Sequence, residues 1–141
     1  MSDTQERHGQ CLCGAVKITA KQASTSVGAC HCNMCRQWAG GPYLAVDCGT
    51  DVRFEGEQHI GTFGSSDWAE RGFCKTCGSN LFYRVKASGQ LIVAAGLFED
   101  QDGFVFDHQV FVDERPTYYD FANETEDKTG AELFAEFSGG D

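Results

Sequence analysis

Short runs of alternating apolar and polar residues recur along the chain and predict β-strands separated by tight turns. Residues 15–20 begin the series, with apolar Val16 and Ile18 alternating with polar Lys17 and Thr19, which is the period of a half-buried strand. Similar segments, bounded by Gly, Asp or Ser, are residues 27–29, 43–47, 52–55, 59–63, 71–73, 80–86, 91–95 and 103–112. Many short strands with such breaks favour an all-β sandwich or barrel-like fold.

Two segments have the marks of short helices instead. Asn33 could cap a helix over residues 34–39, which the Gly-Gly-Pro run after it would end. Thr129 and Glu132 have the spacing of a capping box ahead of the apolar-rich residues 133–137. The sequence therefore predicts one helix among the central cysteines and one short helix near the C-terminal end.

The chain length and the distribution of the strand and helix signals indicate a single domain with two short flanking segments. A chain of 141 residues suits one main core. Residues 1–10 are polar and indicate a flexible tail, whereas residues 11–122 contain the cysteines and the strand signals and form the expected β domain. Residues 123–141 are predicted to be an acidic C-terminal segment that contains the second helix.

Charge and hydropathy exclude some classes of partner. The formal net charge is -10, which opposes nonspecific binding to nucleic acid, because such binding needs a basic surface. No apolar run is long enough to span a membrane, and the polar N-terminal residues lack the apolar region of a signal peptide. We therefore expect a cytoplasmic protein with neither nucleic acid nor membrane as partner, while its oligomeric state stays open.

The cysteines indicate that the chain binds metal ions. The chain has eight of them, and seven fall into three close groups, namely Cys11 and Cys13, then Cys30, Cys32 and Cys35, then Cys74 and Cys77. In a reducing compartment, closely spaced thiols favour metal binding over disulfides. Zinc prefers such soft thiolate ligands. We therefore predict two zinc ions as cofactors, and the occupancy of the second site stays open.

Spacing alone leaves open which cysteines share an ion. One division assigns a closed structural site to Cys11, Cys13, Cys74 and Cys77, and a three-ligand site with a vacant position to Cys30, Cys32 and Cys35. Another division pairs the first two cysteines with the central triplet and lets the last two recruit Cys48. The candidates for a fourth ligand to the triplet are Cys48, His31, His59 and His108. Because His31 lies between two ligands, its ring is expected to point away from the metal.

Three motifs together resemble the family of glutathione-dependent formaldehyde-activating enzymes, which includes the centromere-protein-V-like proteins. They are Cys-x-Cys-Gly-Ala-Val at residues 11–16, Cys-His-Cys-x-x-Cys-Arg at 30–36 and Phe-Cys-x-x-Cys-Gly-Ser-x-Leu-Phe at 73–82. Residues 108–120 are similar to the family's His-Ile-Phe-Val…Pro-Trp-Tyr-Asp ending. This chain departs from that ending at Gln109 and Val110, and at Thr117 and Tyr118, which replace a small residue and Trp.

The resemblance implies a tent-like all-β fold of short antiparallel strands. It also implies a structural zinc on Cys11, Cys13, Cys74 and Cys77, and a catalytic zinc on Cys30, Cys32 and Cys35. The implied activity is that of a carbon–sulfur lyase, which joins glutathione and formaldehyde as S-(hydroxymethyl)glutathione or acts on a related small thiol. Glutathione is accordingly the expected small-molecule partner.

Residues that could contact such a substrate are fewer and less distinctive. The carboxylates of glutathione would need cations, for which the candidates are Arg36, Lys75 and Arg84. His108 is a candidate for a general base or a substrate contact. Basic residues in or near the cysteine segments either form a positive mouth or balance the thiolate charge; they are Arg36, Arg71, Lys75, Arg84 and Lys86. Aromatic residues that belong either to a pocket wall or to the core are Trp38, Tyr43, Phe63 and Trp68.

Two other functions fit the same cysteines. A non-catalytic zinc module would bind a partner through its acidic C-terminal third. A thiol-based reductase would use Cys48 or a triplet cysteine as its nucleophile, which requires an exposed thiol with a low pKa. Asp47 and Asp51 are near Cys48 in sequence and would raise the pKa of its thiol if they are also near it in space.

Overall fold

The computed structural model describes residues 3–139, with side chains described for residues 3–136. Within this range the chain forms eleven strands and two α-helices, which confirms the predicted all-β class with a short C-terminal helix. The elements are β1 (Thr4–Gln10), β2 (Lys17–Ser24), β3 (Ser26–Cys30), α1 (Asn33–Ala39), β4 (Tyr43–Asp47), β5 (Val52–Glu55), β6 (Ile60–Phe63), β7 (Ala69–Cys74), β8 (Asn80–Val85), β9 (Leu91–Ala94), β10 (Val105–Val110), β11 (Glu126–Lys128) and α2 (Gly130–Gly139).

The strands form two sheets of unequal size. The smaller sheet has the order β1-β2-β5, and the larger has the order β11-β10-β3-β4-β9-β8-β7-β6. Pairing is antiparallel throughout the smaller sheet and over most of the larger one. At one end of the larger sheet, β10 runs parallel to both β3 and β11. The expectation of antiparallel strands therefore holds except at that end.

The main core joins residues of both sheets. Ile18 of β2 packs in one cluster with Val46 and Val93 of the larger sheet, and all three are almost fully buried. Phe54 of β5 contacts Phe82 of β8 across the sheets, with ring centroids 5.4 Å apart. The two sheets therefore bury their facing apolar positions against each other, which is the arrangement of a sandwich.

The opposite face of the larger sheet carries a second, smaller cluster. Neighbouring residues on a strand point to opposite faces, so Val46 enters the main core while Ala45 enters the second cluster. Ala45 pairs with Ala94, and Cys30 pairs with Tyr43, so this face continues across β3, β4 and β9. The second cluster contains Cys30, Cys32, Cys35, Trp38, Tyr43, Ala45, Tyr83, Ile92, Ala94 and Phe111.

The first strand corrects the prediction of a flexible tail over residues 1–10. Thr4–Gln10 forms β1 and pairs with β2 along its length, so the prediction is wrong for these residues. Arg7 is 3% exposed, and its guanidinium donates to the backbone carbonyls of Asp100 and Asp102, each at 2.6 Å. These long-range bonds hold a segment that looks purely polar in the sequence.

The predicted N-cap is correct for α2 but not for α1. Cys32, and not Asn33, is the N-cap of α1, because its sulfur accepts the backbone N–H of Cys35. The capping box of α2 forms as predicted, since Thr129 and Glu132 each accept the other's backbone N–H with their side chains. Ahead of α2, β11 adds a short strand that the pattern did not indicate. No helix within the described residues has the length and apolar character needed to cross a membrane.

Candidate metal centres and substrate site

Four cysteine side chains from two distant segments meet at one point. Cys11 and Cys13 precede β2, Cys74 ends β7, and Cys77 follows it, yet their sulfurs all lie within 4.8 Å of one another. The Sγ atoms of Cys11 and Cys13 are 3.7 Å apart, and those of Cys13 and Cys74 are 3.8 Å apart. Sulfurs bound at about 2.3 Å in a tetrahedron around zinc are about 3.8 Å apart. This four-thiol group therefore has the dimensions of a zinc site.

Local backbone geometry orients these thiols. The N–H of Val16 points at the sulfur of Cys11 at 3.3 Å, and the N–H of Cys77 points at the sulfur of Cys74 at 3.5 Å. Gly78 turns the chain after the second pair with a φ of 79°, a left-handed conformation that glycine adopts without strain. Such N–H groups aimed at sulfur favour thiolates that are ready to bind a cation.

Cys30, Cys32 and Cys35 form the second group, which we call the three-thiol group. Cys30 ends β3, Cys32 caps α1 and Cys35 lies in its first turn, and their sulfurs lie within 4.8 Å of one another. The N–H of Cys35 points at the sulfur of Cys32 at 3.3 Å. No further cysteine, histidine or carboxylate of the described residues joins this group. Within the described part of the chain, the group therefore offers three ligands without a fourth donor of these types.

The three thiols resist ionising together. Hydrogen bonding with Cys32 and Cys35, followed by burial, raises the pKa of the Cys30 thiol, whereas hydrogen bonds from Cys30 and Cys35 lower the pKa of Cys32. Ionisation of one thiol of this group therefore disfavours ionisation of its neighbours. A divalent cation would remove this conflict by supplying positive charge, and the soft donors of both groups fit zinc.

Cys48 belongs to neither group. Its side chain is 0% exposed in the main core, and its S–H donates to the carbonyl of Val46 at 3.6 Å. Burial, with a smaller contribution from the Asp47 carboxylate, raises the pKa of Cys48 to about 12. This thiol is therefore neither placed to ligate a metal with Cys74 and Cys77 nor ionised at neutral pH.

His31 turns away from the thiols on either side of it, as its position in the sequence suggested. Its ring is fully buried, with Nδ1 2.6 Å from the Tyr119 hydroxyl and Nε2 2.7 Å from Oε1 of Gln109. The amide nitrogen of Gln109 donates to Thr125, so its oxygen must accept from His31. The ring thus carries its proton on Nε2 and accepts at Nδ1, and burial lowers its pKa. His31 therefore connects the loop of the three-thiol group to Gln109 of β10 through a buried hydrogen bond.

The structure does not bring the predicted substrate contacts together. Arg36 lies on α1 beside the three-thiol group, but its Nε donates to the carbonyl of His31 at 3.0 Å. Lys75 is exposed within the knuckle of the four-thiol group. Arg84 pairs with Glu70 at 2.8 Å and lies over the ring of Phe82, on the main-core face of β8. Their roles at a substrate stay predictions.

The fourth predicted contact lies in a separate groove. His108 pairs with Asp107 at 2.8 Å and, in the sheet register, lies opposite Gly28, two residues before Cys30. Together with Lys128 it lines a groove of about 1000 Å³ with mixed polar and apolar walls, which residues of the larger sheet and of α2 border and which contains none of the cysteines. A role for His108 at the three-thiol group stays a prediction.

Arg71 is a charged residue that contacts the three-thiol group directly, although the sequence indicated it only as one of several basic residues near the cysteines. It is 3% exposed, and its Nη1 donates to the sulfur of Cys35 at 3.5 Å. Its guanidinium carbon lies 5.0 Å from the ring centroid of Trp38 and 5.1 Å from that of Tyr83. No local signal in the sequence indicates this placement, because it depends on the pairing of β7 with β8, which sets Arg71 opposite Tyr83.

A cavity of about 250 Å³ opens beside Arg71. It is lined by Met34, Gln37, Trp38, Phe63, Ser65 and Arg71. Of the four aromatic residues considered for a pocket wall, Trp38 and Phe63 line this cavity, whereas Tyr43 is buried in the second cluster. None of the three cysteines lines this cavity, but Arg71, which does, contacts Cys35, and Met34 lies between Cys32 and Cys35 in the chain. The cavity is therefore adjacent to the three-thiol group and has mostly apolar walls with one cationic residue.

Comparison with known proteins agrees with the motifs. The family model described as glutathione-dependent formaldehyde-activating enzyme matches residues 6–114. The chain belongs to this family. The match begins within β1 and ends before β11 and α2, so the last strand and helix lie outside it. The resemblance seen in the sequence is therefore confirmed.

Two individual proteins are also similar. A protein of Schizosaccharomyces pombe (strain 972 / ATCC 24843), named as an uncharacterized lyase, is 36% identical over 121 residues, which cover 85% of this chain and 88% of that protein. A crystal structure of a Rhodobacter sphaeroides protein superposes with a TM-score of 0.57 at 23% identity, over 65% of this chain and 87% of that one. The second similarity supports the fold alone.

Proposed function

We propose that the protein is a zinc-dependent carbon–sulfur lyase that acts on a glutathione–aldehyde adduct such as S-(hydroxymethyl)glutathione or on a related small thiol. The family and the relative named as a lyase support this class of reaction. The observation that carries the proposal is the three-thiol group, which has no fourth protein donor among the described residues and lies next to a cavity. Three protein ligands and one vacant position are the usual arrangement of a catalytic zinc.

The two cysteine groups divide the metal roles. Cys11, Cys13, Cys74 and Cys77 would hold a structural zinc, and Cys30, Cys32 and Cys35 would hold the catalytic one. When bound there, the metal would supply a Lewis acid that stabilises the substrate thiolate at neutral pH. The donor chemistry and the distances between the sulfurs fit these assignments.

The residues around the three-thiol group would hold it in a fixed position and limit its contact with water. Tyr43 is buried below the group, and its hydroxyl donates to the carbonyl of Ile92 at 2.8 Å. Trp38 packs against Tyr43 with ring centroids 5.1 Å apart and forms one wall of the cavity. Fixed neighbours hold reacting groups at short distances without further ordering, which lowers the entropic part of the barrier.

Exchange NMR of glutathione with formaldehyde tests the proposal. We expect the zinc-loaded protein to accelerate formation and cleavage of the adduct. Cys32→Ser should keep the fold but bind one zinc instead of two and lose the acceleration, whereas Cys48→Ala should keep both zinc ions and the activity. A wild-type protein with two zinc ions and no effect on the exchange rate would contradict the proposed substrate and favour a non-catalytic zinc module.

A further inference from the structure

We propose that Arg71 is a catalytic residue of the three-thiol site and binds the anionic oxygen that develops on the aldehyde carbon. This inference rests on the proposed function and deepens it, because it assigns a chain residue to the charge that the reaction creates. The first observation is that Arg71 is buried next to Cys35 at the floor of the cavity. Its contacts distinguish it from the other arginines near the cysteines.

Arg71 lacks a carboxylate partner. Within the described residues, no acidic side chain lies within ion-pair distance of it, whereas Arg84 on the neighbouring strand pairs with Glu70 at 2.8 Å. A buried cation is costly unless an anion or several hydrogen bonds compensate it. Among the described residues, Arg71 contacts the three-thiol group through the sulfur of Cys35, which would become a thiolate if it bound a metal. The charge of Arg71 is therefore directed at the three-thiol group and at whatever binds there.

The remaining contacts hold the guanidinium in one orientation. Nε donates to the hydroxyl of Ser65 at 3.2 Å and Nη1 to Cys35, while the rings of Trp38 and Tyr83 flank the plane. Nη2 makes no hydrogen bond to any residue that the structure describes. No fully buried side-chain nitrogen or oxygen of those residues lacks a partner, so Nη2 keeps a small exposed surface. Because Arg71 lines the cavity, Nη2 is a donor for a ligand bound there.

The reaction creates an anion two bonds from the substrate sulfur. In the forming direction, a lone pair of the glutathione thiolate attacks the aldehyde carbon and forms the carbon–sulfur bond. The electron pair of the carbon–oxygen π bond moves to oxygen, and the resulting alkoxide takes a proton from water, which balances the proton that the thiol released to solvent. In the cleavage direction, the hydroxyl group of the adduct first gives that proton back to water, and the resulting alkoxide re-forms the carbon–oxygen π bond and expels the thiolate. A fixed N–H donor lowers the energy of the alkoxide in both directions.

A purely structural role, in which Arg71 only balances the thiolate charge, makes different predictions. Lysine at this position keeps the charge but lacks the planar set of donors. We expect Arg71→Lys to retain two zinc ions and the wild-type KM, and to lower kcat about a hundredfold, the usual effect of removing one oxyanion donor. Arg84→Lys, the matched control on the neighbouring strand, should keep its kcat. A wild-type kcat for Arg71→Lys, or loss of its metal, would overturn the proposal.

A binding experiment tests the same residue without turnover. In the cobalt-loaded protein, thiol binding is followed by the thiolate-to-cobalt absorption, with thioglycolate as an anionic probe and 2-mercaptoethanol as its neutral counterpart. We expect the wild type and Arg84→Met to bind thioglycolate at least about tenfold more tightly, as a charge-assisted hydrogen bond would provide, and Arg71→Met to lose this preference. If Arg71→Met does not bind two metals, Arg71→Lys decides by its kcat.

The two experiments also separate this inference from the function on which it rests. An absent preference in the wild type, or an unchanged preference in Arg71→Met, would overturn the role of Arg71 even if the lyase activity is present. A wild-type protein without exchange activity would overturn the proposed function itself, whatever the probes show.

Discussion

Nε2 of His31 lies 2.7 Å from Oε1 of Gln109, although the two residues are 78 positions apart in the chain. This bond joins the loop of the three-thiol group to β10 behind it. The other ring nitrogen accepts from the hydroxyl of Tyr119, so the ring is held on both sides. Cys30 and Cys32 of the three-thiol group flank this histidine, and its fixed ring therefore limits how far their sulfurs can move.

Removing the Tyr119 hydroxyl should weaken the connection between this loop and β10. In Tyr119→Phe, Nδ1 of the buried His31 loses its donor, and an unsatisfied buried acceptor costs about 1–3 kcal/mol of stability. Tyr118→Phe is the matched control, because Tyr118 is 77% exposed and should change stability by less than about 0.5 kcal/mol. Urea unfolding of the zinc-loaded variants measures both effects. Equal stability of the two variants would show that the hydroxyl of Tyr119 does not support the loop.

Gly72 is required by the main core. A Cβ at this position would lie 2.2 Å from Cζ of Phe82, whose ring is 1% exposed and has no room to move. We expect Gly72→Ala to destabilise the protein by about 1–3 kcal/mol, as overpacking does in well-filled cores. Gly96→Ala is the control, since a Cβ there has no heavy atom within 4 Å. Thermal unfolding should separate the two variants by several degrees, and similar melting temperatures would contradict the tight packing of Phe82 on Gly72.

The sequence allowed prediction of the features that depend on local patterns. Alternating polarity gave most strands, and the spacing of Thr129 and Glu132 gave the start of α2, because the partners of a capping box are three residues apart. The two cysteine groups were also predictable, since thiols at these spacings in a reduced protein rarely serve another purpose. The assignment of individual cysteines to the two groups came from the family resemblance.

The features that the sequence missed depend on distant partners. Arg7 is buried through bonds to carbonyls more than ninety residues away, so a polar segment became a strand instead of a tail. Arg71 enters the site because the pairing of β7 with β8 sets it opposite Tyr83, and the polarity of a single strand does not show which strand it pairs with. Asn33 was the statistically favoured cap of α1, but the sulfur of Cys32 takes that place because it already faces the helix start.

Cys48 should resist modification at neutral pH. Its pKa of about 12 means that the thiolate fraction at pH 8 is about one in ten thousand, and the fraction grows only as the pH rises toward the pKa. We expect iodoacetamide to leave Cys48 unmodified in the zinc-loaded protein at pH 8 and to modify it once the chain is unfolded. Cys77, whose pKa is lowered to about 5 by its hydrogen bond with the Ser79 side chain, is the reactive control after zinc removal. Peptide mass mapping reports each cysteine, and rapid alkylation of Cys48 in the folded protein would revive the thiol-based reductase.

Phe134 connects α2 to the face of the larger sheet that carries the three-thiol group. Its ring meets Trp68 edge to face at a centroid distance of 6.2 Å and meets Phe111, a member of the second cluster, at 5.8 Å. Aromatic pairs of this kind contribute about 0.5–1.5 kcal/mol each beyond the area that they bury. We therefore expect Phe134→Ala to lower the free energy of unfolding by about 1–3 kcal/mol and to expose Trp68 further to water.

The fluorescence of Trp68 measures this contact directly. Phe134→Ala should shift the tryptophan emission to longer wavelength, because Trp68 is already 52% exposed and would lose one of its covering rings. The chain has two tryptophans, so the same substitution in a Trp68→Phe background isolates Trp38 and should leave the emission unchanged. A shift that persists without Trp68 would mean that α2 acts on the cavity beside Trp38 instead. An emission unchanged in both backgrounds would show that α2 does not rest on this face in solution.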